Sequence, residues 1–214
     1  MNIIKKFFVF SKSGGLSEAI NYSLHAVRSI FFVHSHTFFL HLDNNKKQSS
    51  ITTKSNQFSF KIVRDIKELK SLSFKRLEFS PTNKWFEEGA ICQVGLQNDQ
   101  PVSFIWIHKK SRDIHHALKV NLGPSQYWIG PVFVHKNARG KGLNKLQLKT
   151  LLNNPQFKNC EFITCTNSKN FASVKSFLKQ GFSLVLISKF KKILMNKPVK
   201  DLIILKENTI YYEV

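Results

Sequence analysis

The sequence predicts a protein of mixed α+β class, and two strand–helix units carry this prediction. In the first unit, residues 127–134 form an apolar run rich in β-branched and aromatic side chains, and leucines at near-helical spacing follow a turn with two glycines. In the second unit, a short strand at 161–166 precedes a helix at 167–180 that Gly181 ends. With 214 residues, of which 42% are hydrophobic, the chain is long enough for one domain and an appendage.

The N-terminal part predicts a helix, then a strand, then a linker. Apolar residues on one helical stripe indicate the helix, namely Leu16, Ile20, Leu24, Val27 and Phe31. Residues 32–42 alternate apolar side chains with histidines, as a half-exposed strand does, and residues 43–57 are almost all polar. We therefore divide the chain into an N-terminal helix-strand appendage with its linker, 1–57, and a main domain, 58–214.

The main domain begins with a strand at 58–63 and a helix from about Asp65 to Arg76, with Asp65 as N-cap and Glu68 as its capping-box partner. The later elements are predicted in this order: an irregular stretch at 80–88, a hairpin of 90–97 and 101–108 turned by Asn98-Asp99, a polar loop at 109–122, the two strand–helix units, and final strands at 182–190 and within 201–214 that turn near Glu207-Asn208. No internal repeat is visible in this order.

The loop at 134–144 joins the first predicted strand–helix unit and has the properties of a phosphate site. Gly140 and Gly142 stand just before the helix, whose first backbone N–H groups have no partners within the helix. The helix dipole adds about half a positive charge at that end, so an anion is stabilised there. An ordinary tight turn remains the alternative interpretation of a glycine pair.

Taken with residues 167–182, this loop resembles the GNAT superfamily of acyl-CoA N-acyltransferases. The family motif Arg/Gln-x-x-Gly-x-Gly/Ala matches residues 139–144, except that Asn144 stands where the family has a small residue. A second family segment, an asparagine followed by a helix and a terminal Gly-Phe, matches Asn170 and the pair at 181–182. Phe177 occupies the position of a tyrosine that often protonates the leaving thiolate in this family. The resemblance extends over 58–214.

The resemblance implies a mostly antiparallel mixed sheet, flanked by helices and splayed between its fourth and fifth strands. It also implies a site for acetyl-CoA or another acyl-CoA. The residues that it assigns to this site are Phe133, Val134, Arg139, Gly140, Lys141, Gly142, Leu143, Asn144, Asn170 and Phe177. In the family, backbone groups of the fourth strand align the pantetheine arm and polarise the thioester carbonyl, and the stretch that corresponds to 80–88 lines the acceptor side.

A general base is harder to identify. Many relatives carry a glutamate on the fourth strand, but that position lies near Gly130-Pro131 in this chain. Glu87 and Glu88 are the candidate catalytic residues, acting directly or through water, and His108 is a further option. For each of the three, an ordinary solvated side chain is the favoured alternative, because nothing in the sequence fixes the geometry that a base needs.

The net charge of +20 is concentrated around the proposed phosphate loop. Residues 136–200 contain fourteen lysines and arginines and one acid, Glu161. Such a field attracts polyanions, including coenzyme A or a nucleotide-linked sugar, although a general bias of the sequence towards lysine is the alternative. No helix-turn-helix, zinc-finger or RNP-like pattern is present, so sequence-specific recognition of nucleic acid is not predicted.

Cysteine and histidine usage predicts a cytoplasmic protein without a structural metal. Cys92, Cys160 and Cys165 lack metal-site spacing and are expected to be reduced, with Cys165 as a core thiol. We expect His34, His36 and His41 to be polar positions of the strand at 32–42 and not ligands.

Two features of the sequence bear on membranes. No apolar run reaches the ~20 residues that span a bilayer. The basic and aromatic segment 5–12 is a candidate for contact with a membrane surface.

The leading hypothesis is an N-acyltransferase that moves an acyl group, most simply acetyl, from acyl-CoA to a primary amine of a small molecule. An amino sugar, free or nucleotide-linked, is the preferred acceptor, on the basis of the positive field and of Trp85, Trp106 and Trp128. The alternative hypothesis is a non-catalytic module that binds acyl-CoA or an acidic partner on the same fold. The sequence leaves the acceptor and the oligomeric state open.

Overall fold

The computed structural model describes residues 32–46, 57–74, 77, 81–114, 118–193, 199–206 and 210–213. The strands are β1 (Phe32–Leu42), β2 (Ser59–Val63), β3 (Ile91–Gln97), β4 (Gln100–His108), β5 (Arg112–Ile114), β6 (Leu118–Asn121), β7 (Gln126–Val134), β8 (Glu161–Asn167), β9 (Ser183–Ile193), β10 (Val199–Ile204) and β11 (Tyr211–Glu213). The α-helices are α1 (Ile66–Ser71), α2 (Thr82–Glu87), α3 (Leu143–Leu152) and α4 (Phe171–Leu178). Within these ranges, no helix is long and apolar enough to cross a bilayer.

Eight of the strands form one large sheet with the order β10-β9-β1-β8-β7-β4-β3-β2. All neighbours in this sheet are antiparallel except β7 and β8, which are parallel. The remaining three strands form a small antiparallel sheet with the order β11-β6-β5. The predicted class, a mostly antiparallel mixed sheet flanked by helices, is confirmed.

Strand β1 lies inside the large sheet, between β8 and β9. Phe39 is opposite Cys165 on one side and Leu186 on the other, and Phe39, Leu40 and Leu42 are at most 1% exposed. The assignment of residues 32–42 to an appendage is therefore wrong, because alternate side chains of β1 supply the cores on both faces of the sheet. The predicted N-terminal helix and most of the predicted linker lie outside the described residues, and their separation from the main domain stays a prediction.

The two faces of the large sheet are covered by different elements. On one face, Leu148 and Leu151 of α3 and Phe177 of α4 pack against Ile107 and Ile129 of the sheet. On the other face, α1 and α2 pack over β2, β3 and β4. The small sheet covers the same face further along, over β7, β8, β1 and β9. The predicted phosphate loop at the start of α3 and the helices α1 and α2 are thus on opposite faces.

Several local predictions need correction. Residues 80–88 contain α2, in which Thr82 and Trp85 are buried against the sheet. The predicted polar loop at 109–122 contains β5 and β6, since Leu118 and Val120 alternate with an exposed lysine and bury their side chains. Helix α1 ends at Ser71, five residues before the predicted end, although Asp65 caps it as predicted by accepting from the N–H of Glu68 at 2.8 Å. The predicted turn at 207–208 lies outside the described residues.

Candidate functional site

The large sheet opens between β7 and β8. The two strands pair only from Gln126 opposite Glu161 to Ile129 opposite Thr164. Beyond this point β7 continues beside β4 as far as Val134, whereas β8 continues beside β1 as far as Asn167. The backbone of residues 130–134 therefore has a neighbour on the β4 side, and its other side faces the opening. Phe133 and Val134, predicted to align the pantetheine arm, lie on this stretch and are half-buried.

The glycine loop connects the open stretch of β7 to α3. Gly140 and Gly142 have φ angles of +77° and +73°, in the left-handed region, and Gly142 is the N-cap of α3. A Cβ atom at either glycine would meet nothing within 4 Å, so the backbone angle, not crowding, requires glycine here. No side chain caps this end of α3, and its first turn has no acidic residue. The first N–H groups of the helix are thus available to an anion.

The side chains of this loop divide into exposed cations and buried anchors. Arg139 and Lys141 are exposed, and Arg139 Nε donates to the carbonyl oxygen of Val134 at 3.0 Å, which ties the loop to the end of β7. Leu143 is 1% exposed and packs with Ala138 and Phe58. Leu143 consequently presents only its backbone to a ligand, whereas Arg139 and Lys141 contribute positive charge around it.

Three other predicted site residues make structural contacts. Asn144 Nδ2 donates to Ser176 Oγ at 3.1 Å, so its side chain is directed from α3 to α4. Asn170 caps α4, with its side-chain oxygen accepting from the N–H of Ser173 at 3.2 Å. Phe177 is 2% exposed, and its ring centroid lies 5.1 Å from that of Phe182 in the core. The bond from Asn144 to Ser176 joins α3 to α4, whereas the Asn170 cap and the Phe177 ring contact fix α4 itself.

On the opposite face, His108 lies at the end of β4 among aromatic rings. Its ring centroid is 5.1 Å from that of Trp85 and 6.0 Å from that of Trp106. The ring hydrogen-bonds to the backbone of Gly130, the first residue of β7 beyond the paired segment, and its Nε2 atom is buried without a partner among the described residues. Burial, together with the positive charge of Arg112, lowers the pKa of His108 to about 3, against the opposing effect of the bond to Gly130. His108 is thus a neutral imidazole near neutral pH.

Arg112, at the start of β5, completes a cluster around Trp85. Its guanidinium carbon lies 5.4 Å from the centroid of the Trp85 ring, a cation–π geometry. Burial lowers the pKa of Arg112, whereas the charges of Glu88 and Asp113 raise it. We name Glu88, His108 and Arg112, with Trp85 between them, the acceptor-side cluster, after the acceptor side that the family resemblance predicts at residues 80–88.

The two glutamates predicted as catalytic differ in position. Glu88 is half-buried and belongs to the acceptor-side cluster, and its Oε1 atom lies 3.9 Å from Lys84 Nζ. Glu87 is exposed. The sequence prediction did not single out Arg112, because it fell in the stretch interpreted as a loop. Its one signal was rarity, since the chain has only five arginines among 33 basic residues.

The side chains of Cys165 and His41 are both packed within the fold. Burial raises the pKa of Cys165 to about 12, so it is a protonated thiol and a poor nucleophile at neutral pH. His41 is 4% exposed and lies 3.1 Å from Glu161, so the prediction of a half-exposed position is wrong for this histidine. Among the described residues, no group of three or more His, Cys, Asp or Glu side chains is arranged to hold a metal ion.

Comparison with known proteins identifies the family. The model of the acetyltransferase (GNAT) family matches residues 60–182, more than half of the chain, and the chain belongs to this family. A search of curated proteins finds no significant match.

Solved structures agree on the fold. A Drosophila protein superposes with a TM-score of 0.52 at 12% identity, over 85% of this chain and 59% of its own length. A protein from Novosphingobium aromaticivorans, described as a GNAT-family acetyltransferase, superposes with a TM-score of 0.50 at 7% identity, over 74% of this chain and 65% of its own length. This chain thus spans less than two thirds of the length of either structure, and at such low identity the likeness concerns the fold alone.

Proposed function

We propose that the chain transfers an acyl group, most simply acetyl, from acyl-CoA to a primary amine of a small molecule. One observation carries the proposal. The stretch of β7 that faces the opening leads directly into a helix start with left-handed glycines, exposed cations and no acidic side chain. The open stretch of β7 suits an extended polar arm, and the start of α3 suits a diphosphate. Acyl-CoA is a ligand that has both. An amino sugar, free or nucleotide-linked, is the candidate acceptor.

The residues of the opening would hold acyl-CoA by backbone and charge. The N–H groups of the first turn of α3 suit the diphosphate, with Arg139 and Lys141 beside them. The N–H of His135 bonds to Val102 on β4, and the direction of backbone groups alternates along a strand, so the N–H and C=O of Val134 face away from β4 and suit an amide of the pantetheine arm. The backbone groups of Phe133 face β4, so Phe133 would contribute through its position on the strand and not through these groups. Because these donors and acceptors belong to a strand and a helix end, they are positioned before the ligand binds.

Acyl transfer forms a carbon–nitrogen bond, breaks the carbon–sulfur bond of the thioester and releases one proton from the amine. Glu88 is proposed to take up that proton as the general base, directly or through water. Glu87, which is exposed, is the alternative base. His108 is neutral, and its Nε2 atom has no hydrogen-bond partner among the described residues, so it can accept a hydrogen bond but is a weak base. Phe177 has no proton to give, so solvent would protonate the thiolate.

A second candidate function is acyl-CoA binding without turnover. Two observations favour it: the buried Phe177 at the position of the tyrosine, and Gly130-Pro131 where many relatives have a carboxylate. Release of free thiol from acetyl-CoA, measured with a panel of primary amines, separates the two candidates. A transferase releases one thiol per acylated amine, whereas a binding module gives a calorimetric signal and no thiol.

Binding of acetyl-CoA is the first test of the proposal. We expect the wild-type chain to bind it in calorimetry and to gain thermal stability at saturating ligand, because a ligand of the native state stabilises that state. Lys141→Glu reverses a charge beside the proposed diphosphate position and is expected to weaken binding by about tenfold or more at low salt. Lys67→Glu makes the same charge change on an exposed position of α1 and is expected to have little effect. Absence of binding at millimolar acetyl-CoA, or equal weakening by both variants, contradicts the proposed site.

A further inference from the structure

We propose that Arg112 determines acceptor specificity by binding an anionic group, a carboxylate or a phosphate, on the amine substrate. The inference rests on the proposed acyl transfer and names the class of its acceptor. That class is a molecule with a primary amine and an acidic group within reach of it.

The position of Arg112 connects it to the place where β7 and β8 separate. Its guanidinium lies over Trp85, the Trp85 ring is 5.1 Å from that of His108, and His108 bonds to the backbone of Gly130. Gly130 is the first residue of β7 beyond the segment paired with β8. Arg112 is therefore connected to the strand that lines the opening through two ring side chains, those of Trp85 and His108.

The hydrogen-bonding capacity of Arg112 is not used within the described part of the chain. There, no carboxylate oxygen lies within 4.0 Å of its guanidinium, and its buried Nε atom has no hydrogen-bond partner. A buried donor without a partner is unfavourable, and a planar guanidinium held against an aromatic ring is ready for a two-point contact with a carboxylate or phosphate. The side chain is only half-buried, so a ligand can reach it.

The proposed acyl-CoA site does not account for Arg112. Trp106 and His108 alternate along β4 with Ile105 and Ile107, so they lie on the face of the sheet opposite α3. The cations suited to coenzyme A are at the start of α3. Arg112 thus provides a separate positive centre on the acceptor side.

Glu88 gives this cluster a second charge of opposite sign. Its carboxylate lies close enough to raise the pKa of Arg112, without forming an ion pair with it. An acceptor whose amine lies towards Glu88 and whose acidic group contacts Arg112 satisfies both centres. An amine without an acidic group can contact Glu88 but leaves Arg112 without a partner. The arrangement therefore favours an acceptor that carries an acidic group.

The test uses pairs of amines that differ only in the acidic group, with the full chain and saturating acetyl-CoA. One pair is an amino acid and its carboxamide, and the other is an amino sugar phosphate and the free amino sugar, so the two arms separate carboxylate from phosphate. Arg112→Met removes the charge and keeps most of the apolar stem, and Arg112→Lys keeps the charge but not the planar fork. Lys110→Met removes an exposed charge two residues away as the matched control.

We expect wild type and Lys110→Met to prefer the anionic member of one pair by about tenfold or more in kcat/KM. Arg112→Met is expected to lose this preference through a higher KM for the amine that carries the acidic group, with a clearly smaller change for the amine that lacks it, and Arg112→Lys to retain part of the preference. Equal preference in wild type and Arg112→Met overturns the inference. Equal loss with both amines, accompanied by a lower Tm, also overturns it, because that result indicates a structural role.

Failure of the inference and failure of the proposed function are distinguishable. If the wild type releases no thiol with any amine, the proposed transfer is contradicted, and the same amine pairs are then titrated calorimetrically into the chain with coenzyme A present. Tighter binding of the anionic member that Arg112→Met abolishes supports the Arg112 site without catalysis. Equal binding of both members rejects it.

Discussion

Thr164 on β8 donates its hydroxyl to the carbonyl oxygen of Ile129 on β7 at 2.8 Å, at the last position where the two parallel strands are paired. The side chain of Thr164 is buried, with 2% of the residue exposed. A side-chain bond at this place joins the strands one step before their backbones separate. The pair therefore marks the closed end of the opening in which acyl-CoA is proposed to bind.

Thr164→Val is expected to lower the free energy of unfolding by about 1 kcal/mol, since valine keeps the shape but removes the hydroxyl donor from a buried carbonyl. Thr166→Val is the matched control on the same strand, because Thr166 is also buried, with 9% of the residue exposed, and the side-chain bond to β7 is made by Thr164. Urea denaturation of both variants measures the difference. An equal effect of the two changes would show that the Thr164 bond contributes nothing specific.

Asn144 and Ser176 allow the role of the unusual residue in the glycine motif to be tested. Asn144→Ala and Ser176→Ala each remove the 3.1 Å bond between α3 and α4, and each is expected to cost about 0.5–1.5 kcal/mol of stability. Only Asn144→Ala also restores a small residue at the helix start, so it alone is expected to tighten acetyl-CoA binding, by less than about tenfold. Calorimetry with both variants decides the matter. Matching changes in affinity would assign the effect to the helix–helix bond and not to the helix start.

The features that the sequence predicted correctly are those whose causes are local. The glycine loop depends on left-handed backbone angles at Gly140 and Gly142, two positions apart, and the hairpin turn depends on Asn98 and Asp99, which have φ angles of +50° and +59°. Helix α3 follows from leucines spaced within ten residues. Such patterns involve residues within about ten positions of one another, so they are visible in the sequence.

The features that were missed depend on distant parts of the chain. The place of β1 is set by pairing with β8 and β9, 120 or more residues away along the chain, and its own alternation does not reveal which strands it joins. Arg112 meets Trp85 only because the small sheet and α2 cover the same face. The predicted acyl-CoA loop could be found from the sequence because its causes are local. The acceptor-side cluster could not be found, because it depends on contacts between distant parts of the chain.

The buried imidazole of His108 predicts a stability that falls in mild acid. The unfolded chain takes up a proton on this histidine near its ordinary pKa of 6.5, whereas the folded chain does so only near pH 3. Between these values the unfolded state binds more protons, so the free energy of unfolding decreases as the pH is lowered through this window, by about 1.4 kcal/mol per pH unit at most.

The measurement compares wild type with His108→Gln in urea denaturation at pH 7 and pH 5, because subtracting the two chains cancels the titration of every other group. Wild type is expected to lose about 2 kcal/mol more than the variant between these two pH values, even if the variant is less stable at pH 7 through poorer packing against Trp85. Parallel pH profiles for the two chains would mean that His108 is protonated at the same pH in the folded and unfolded states. In that case Nε2 would be reached by solvent, and the aromatic rings around it would not isolate the acceptor side from water.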